Sequence, residues 1–359
     1  MIMIPLFKVF MPDEVSVEVP SILNSGQLAY GTHTKNFEEK LQSHVGNLNI
    51  LTVSGNSIFF ALKLLDIKEG DEVIVSPMSC LMTTQPIAYA GAKVIWADID
   101  PLTGSLDPDD VKSKITSKTK VIIHYHWAGY PGYIDEINDL AKEYDIPVIE
   151  DATESFGAEY KGKKIGNTGT DIVCYSFTPV RLPNAIDGGG LAFSDKTLYE
   201  KALRMRDLGI DRSIFRGKLG EISEDCDITT IGDSSAMNNI SGFVGASQIK
   251  YLDDLYKKQR ENALNWKDIL SKDNRIEFMK KREEILPSYW AFTILSNKRD
   301  ELLNEFREKR FYASKMHLRN DLYSVFQSSA KDFKGVNEFS NKQLNLPCGW
   351  WINIKDLIK

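Results

Sequence analysis

Short apolar runs bounded by turn residues set the rhythm of the first two-thirds of the chain. Glu72-Val73-Ile74-Val75 follows Gly70-Asp71 and stops before Pro77; Lys93-Val94-Ile95-Trp96-Ala97 follows Gly91. Lys120-Val121-Ile122-Ile123-His124 and Pro147-Val148-Ile149-Glu150 come next. Short runs without polar alternation predict strands buried on both faces. Between the last two, Asp135 to Tyr144 places Ile137, Leu140 and Ala141 at helical spacing, as a helix laid against a sheet requires. Strands alternating with helices predict a parallel α/β sheet, with ligands gathered at the carboxyl ends of its strands.

After about Gly245 the pattern changes. Lys250 to Leu270 predicts a long amphipathic helix with Leu252, Leu255 and Tyr256, and with the run Lys257-Lys258-Gln259-Arg260 on its solvated side. A strand over Trp290 to Leu295 and a charged helix from Arg299 to Lys309 complete a compact α+β unit. At 359 residues the chain exceeds what one core usually holds. The expected division is a large domain over 1–245 and a smaller C-terminal domain over 246–359. No repeat or low-complexity linker separates them, so the boundary is expected at a packed helix.

Hydrophobic and charged contents of 42% and 26% are ordinary for a soluble globular protein. A net charge of −6 and a pI near 5.6, without a lysine or arginine run, argue against nucleic-acid or anionic-membrane surfaces. The apolar start, Met1 to Phe7, is too short for a membrane span and has no basic flank, so a cytoplasmic location is expected. Cys80, Cys174, Cys226 and Cys348 lack metal or redox spacing and read as structural thiols. His124 and His126 stand at strand spacing without nearby cysteine or carboxylate ligands, and no metal is expected.

Three segments carry candidate chemistry. Val53-Ser54-Gly55-Asn56-Ser57 is a small-residue turn opening into a helix, where free N–H groups and the helix dipole favour an anion; Ser57 also reads as a plain N-cap. Asp151 closes a strand at the sheet edge, either as a cleft carboxylate or as a helix cap. Ser176 and Arg181 follow the next strand-like segment, Tyr175-Ser176-Phe177-Thr178-Pro179-Val180-Arg181.

Together with Glu150-Asp151-Ala152-Thr153-Glu154, Gly157-Ala158-Glu159-Tyr160-Lys161-Gly162-Lys163 and Asp187-Gly188-Gly189-Gly190, these segments resemble the DegT/DnrJ-type sugar aminotransferases. Those are pyridoxal-phosphate enzymes acting on nucleotide-linked keto sugars. Ser25 to Gly31, Asp98-Ile99-Asp100, His126 to Pro131 and Ser314 to His317 extend the resemblance along almost the whole chain. It implies a type I aminotransferase fold, with a mostly parallel seven-stranded sheet, a small C-terminal α+β domain and a homodimer. It further implies that Gly55, Asn56, Ser57 and Ser176 hold the cofactor phosphate and that Asp151 pairs with the ring nitrogen.

The same resemblance exposes departures. A stretch like Ser-Phe-His-Pro-Val-Lys places the family's Schiff-base lysine where Arg181 stands. A guanidinium stays protonated and cannot form that bond. Arg181 is open to two readings, a phosphate ligand or a surface ion pair left after the site decayed. Glu154 replaces a glutamine or histidine and adds repulsion beside Asp151 unless a cation such as Arg181 answers it. Leu81 falls where many members stack an aromatic ring on the cofactor, and Ser234 lies in a segment that lacks the family's asparagine and arginine. The implied function is a nucleotide-sugar aminotransferase homologue in deoxysugar or surface-polysaccharide synthesis, with impaired transamination and pyridoxal or pyridoxamine phosphate bound without a covalent link. A coenzyme-B6 sugar dehydratase and a silent homologue that binds a sugar nucleotide or pairs with an active subunit are the alternatives.

Overall fold

The computed structural model describes residues 3–326 and 332–357. Seven strands form the main sheet: β1 Ile50–Val53, β2 Glu72–Val75, β3 Lys93–Trp96, β4 Thr119–Tyr125, β5 Val148–Asp151, β6 Ile172–Ser176 and β7 Gly189–Phe193. Their order is β1-β7-β6-β5-β4-β2-β3, with β7 antiparallel to both neighbours and the remaining pairs parallel. The four strands expected from the apolar runs are β2 to β5. Alternate residues face opposite cores, as the pleat requires: Val121, Ile123 and Ile149 join one cluster, and Ile122 and Val148 the other. Apart from Lys120 at the start of β4, only β3 departs from burial on both faces. It is the edge strand, and Lys93 lies in the open.

Antiparallel β7 fits between β1 and β6 because its first residues have no side chains. A Cβ on Gly188, where φ is +92°, would lie 2.4 Å from the Val53 carbonyl oxygen, and one on Gly189 would lie 2.6 Å from that of Tyr175. This close approach explains the glycine run after Asp187.

The predicted helix over 135–144 is Ile134–Glu143, with Ile137, Leu140 and Ala141 buried. Residue 245 lies inside the helix Asn239–Gln248, which continues through a 3-10 turn into the helix Leu252–Leu270. The latter buries Leu252, Tyr256, Gln259, Ala263, Trp266 and Leu270. Gln259 and Arg260 therefore correct the expected solvated run: Gln259 Nε2 donates to the Ser288 carbonyl at 2.7 Å, and Arg260 donates to the carbonyls of Pro287 and Gly157. Asn262 is buried beside Ala263, and the other buried positions follow one another by three or four residues, so Gln259 belongs to the apolar stripe despite its polarity.

Beyond this helix, Phe292–Leu295 is the central strand of a three-stranded antiparallel sheet with Glu277–Phe278 and Gln343–Leu346. Its core includes Trp266, Phe306 and Phe311. The N-terminal segment joins this layer through paired backbone bonds between Ile4 and Phe311's flanks, Arg310 and Tyr312. The Glu159–Lys163 motif is a hairpin paired with Ile285–Leu286, which ties the two layers together. No described helix is long and apolar enough to cross a membrane.

Candidate active site

Parallel topology brings the ends of β4, β5 and β6 side by side. Tyr125 is in register with Asp151, and Asp151 with Cys174. The chain then turns into two adjoining pockets that share Thr153, Ser176 and Arg181. The first is lined by Gly55, Asn56, Ser57, Thr178 and Gly188, among others, and lies at the N-terminus of the helix Ser57–Leu64. Its positive helix end suits an anion.

The N-cap of that helix is Asn56 and not Ser57. Asn56 Oδ1 accepts from the N–H groups of Ile58 and Phe59, and its Nδ2 donates to the Met82 carbonyl at 2.7 Å. Ser57 is buried, and its hydroxyl donates to the Tyr175 carbonyl at 2.8 Å. The Ser176 hydroxyl shares a 3.0 Å bond with that of Thr178. Cys80 also lines this pocket, and burial pushes its thiol above the ordinary value.

Asp151 is fully buried. Its Oδ2 accepts from the Thr83 hydroxyl at 2.5 Å and its Oδ1 from the Thr153 N–H at 3.1 Å. Burial raises its pKa, against the opposing pull of both threonines.

Glu154 occupies the densest polar cluster of the site. Its carboxylate accepts from the Tyr125 hydroxyl, the Ala128 N–H at 3.1 Å and His317 Nε2 at 2.9 Å. Arg181 Nη1 stands 3.7 Å away. Burial pushes the Glu154 pKa up, but His317, Arg181 and Tyr125 outweigh it and hold the carboxyl below its ordinary range. The expected repulsion is thus answered by more than Arg181. Sequence reading missed Tyr125, Thr83 and the role of His317; only a known pairing of β4 with β5 would have pointed to Tyr125.

Arg181 is 9% exposed, so its ion pair with Glu154 is buried and not at the surface. Its guanidinium lies 4.1 Å from the centre of the Trp290 ring. Phe7 stacks on Trp290 at 3.9 Å and 13°, and Trp290 Nε1 donates to the Val180 carbonyl at 3.1 Å. Leu81 is not brought to either pocket. As the first residue of the helix Leu81–Tyr89 it shares a face with Gln85 and Tyr89, one turn and two turns on, and lines a shallow apolar groove with Phe59. The Gly232–Asn239 segment runs beside the end of β1, where Ser54 N–H donates to the Ser235 carbonyl.

The profile of the DegT/DnrJ/EryC1/StrS aminotransferase family matches residues 11–357. The chain belongs to this family. Among its DegT/DnrJ/EryC1/StrS relatives, GDP-perosamine synthase of Escherichia coli O157:H7 is 32% identical over 286 residues, covering 78% of this chain and 74% of that one. UDP-2-acetamido-2-deoxy-3-oxo-D-glucuronate aminotransferase of Pseudomonas aeruginosa is 34% identical over 194 residues, 54% of each chain. The solved structure of the sugar aminotransferase CalS13 from Micromonospora echinospora superposes with a TM-score of 0.92 at 28% identity, covering 99% of this chain and 97% of that one. The family implies pyridoxal or pyridoxamine phosphate. The site fits such a group: a helix N-terminus beside hydroxyls, a buried acid on the central strand, and a buried guanidinium whose Nε and Nη1 have no hydrogen-bond partner in the protein.

Proposed function

We propose that this chain binds pyridoxal or pyridoxamine 5′-phosphate without a covalent link, and acts at a nucleotide-linked keto sugar with transamination altered or impaired by Arg181. The carrying observation is that Arg181 is buried where the two pockets meet, stacked on Trp290 and facing Glu154. Gly55, Asn56, Ser57 and Ser176 would hold the phosphate, and Asp151 would answer the ring nitrogen. When bound, the cofactor supplies an electron sink for bonds at the carbon that carries nitrogen.

The residues themselves bind more than they transfer. Arg181 stays cationic and orients acceptors, but takes up no proton. Glu154, held ionised, fixes His317 and Tyr125 in place. The large domain over 1–245 would carry the cofactor, with 246–359 closing over it. A second copy of the chain would cover the exposed apolar side chains of Ile214, Leu219, Ile222 and Ile231 in the cytoplasmic homodimer.

The test is titration of purified protein with pyridoxal phosphate, followed by melting temperature, absorbance and borohydride reduction with peptide mapping. The expected result is a raised melting temperature with no reduced adduct on any lysine. An adduct on a lysine would sink the non-covalent reading, and no thermal shift with either cofactor form would favour the silent homologue.

A further inference from the structure

On the face of the sheet opposite the Asp151 side chain, His126 and Glu150 form a pair that the proposed function does not use. Both are fully buried, and His126 Nε2 stands 2.9 Å from Glu150 Oε2. Sequence spacing gave His126 no carboxylate; the fold supplies one through the register of β4 with β5. Glu150 also accepts from the hydroxyls of Thr168, at 3.0 Å, and Thr170. Along the strand it shares a face with Val148, which packs in one cluster with Ile137 and Leu140 of the helix Ile134–Glu143. Asp151, one residue on, meets Thr83 on the other face.

The imidazole is locked in one tautomer. Gly132 N–H donates to His126 Nδ1 at 3.1 Å, which leaves the ring proton on Nε2 for Glu150. His124 packs edge-on against the ring with centres 5.0 Å apart, and its own Nε2 is engaged by the Ser105 hydroxyl at 3.0 Å. The backbone of His126 grips the acid-bearing segment twice. Its N–H donates to the Asp151 carbonyl at 3.2 Å, and its carbonyl accepts from the Ser155 hydroxyl at 3.2 Å. Two residues on, Ala128 is held at φ +48°, a left-handed conformation that a side chain disfavours, and from there its N–H reaches Glu154. A ring fixed on two sides fixes the main chain that carries it.

We propose that His126 is a positioning residue: its imidazole, held between Gly132 and Glu150, fixes the main chain from which Asp151 and Glu154 reach the candidate site. The clamp stands on these bonds alone. Its effect on cofactor binding rests on the reading of Asp151 as the partner of the ring nitrogen.

Two substitutions in the full chain test it. His126→Gln can still donate to Glu150, whereas His126→Asn is too short to reach it. Hydrogen–deuterium exchange of the cofactor-free protein is read over residues 150–155, and pyridoxal phosphate is titrated beside its 1-deaza analogue, which carries carbon in place of the ring nitrogen. His126→Asn is expected to speed that exchange and to weaken pyridoxal phosphate binding, each by roughly tenfold, the weight of a buried acceptor left unpaired, with affinity for the analogue unchanged. His126→Gln is expected to stay close to wild type in all three. Should thermal melts show His126→Asn unfolded, Ser155→Ala, which removes the bond to the His126 carbonyl, is expected to speed exchange over the same residues by about threefold. Unchanged exchange in the folded variant, equal losses in His126→Gln and His126→Asn, or equal weakening of both cofactor forms would overturn the proposal. Wild-type protein that binds neither form would defeat the proposed function, and the exchange comparison would still decide the clamp.

Discussion

The two sides of the site are built on different principles. On the cradle side, around Gly55 to Ser57 and Ser176, polar groups are neutral and satisfied one by one: Asn56 caps its own helix, and Ser57 bonds to the Tyr175 carbonyl. On the side of Arg181, several partners gather on one buried charge. Glu154 draws on Tyr125, Ala128, Arg181 and His317, while two guanidinium nitrogens make no hydrogen bond within the protein. On the second side Glu154 and Arg181 stand as a buried pair of opposite charge.

The largest expected effect breaks that coupling. Glu154→Leu leaves a buried guanidinium without its counter-charge and should cost about 3–5 kcal/mol in denaturant unfolding. A loss below 1 kcal/mol, roughly that of an exposed pair, would show that the two residues are independent. Asp151→Asn should lower cofactor affinity by roughly 10- to 100-fold, the weight of a charged hydrogen bond, with no loss of stability because it removes a buried carboxylate. Fluorescence titration against thermal melting separates these two readouts.

Arg181→Lys sits between the sides. It should lose roughly 0.5–2 kcal/mol of stability with the guanidinium stack, and gain a borohydride-reducible cofactor adduct at position 181, read by peptide mass. A stable variant without the adduct would place position 181 away from the cofactor.

Acid unfolding sharpens the contrast further. The folded pKa of Glu154 lies below its ordinary 4.5, so its contribution to stability is complete above that pH and is lost as pH falls through the lower folded value. Asp151 runs the other way: its pKa is raised above 3.8, so its contribution to stability fades as pH rises from there through the folded value. Glu154→Gln should flatten the acid limb of the stability curve and Asp151→Asn should steepen it. The smallest effect is expected from Leu81→Phe, within about 0.5 kcal/mol, since Leu81 faces the groove beside Phe59.

Much of the fold was legible in the sequence because its strands are continuous apolar runs, which local patterning reveals. The cradle was legible as a turn opening a helix, because Asn56 caps the helix that follows it, but the bond from Ser57 to Tyr175 spans the sheet and was not. The Arg181 side was not. Its partners lie up to 163 residues apart in the chain, and nothing in the local pattern of Tyr125, His317 or Trp290 distinguishes them from core aromatics. Gln259 is a different case, for its spacing from Tyr256 and Ala263 already placed it on the buried stripe while its polarity argued otherwise.

The stack of Phe7, Trp290 and Arg181 limits what else can stand at position 181. An ammonium has no flat face to lie on Trp290 and no second nitrogen to share with Glu154. The indole therefore holds position 181 to a flat cation, and any other side chain there forfeits both the stack and the reach to Glu154.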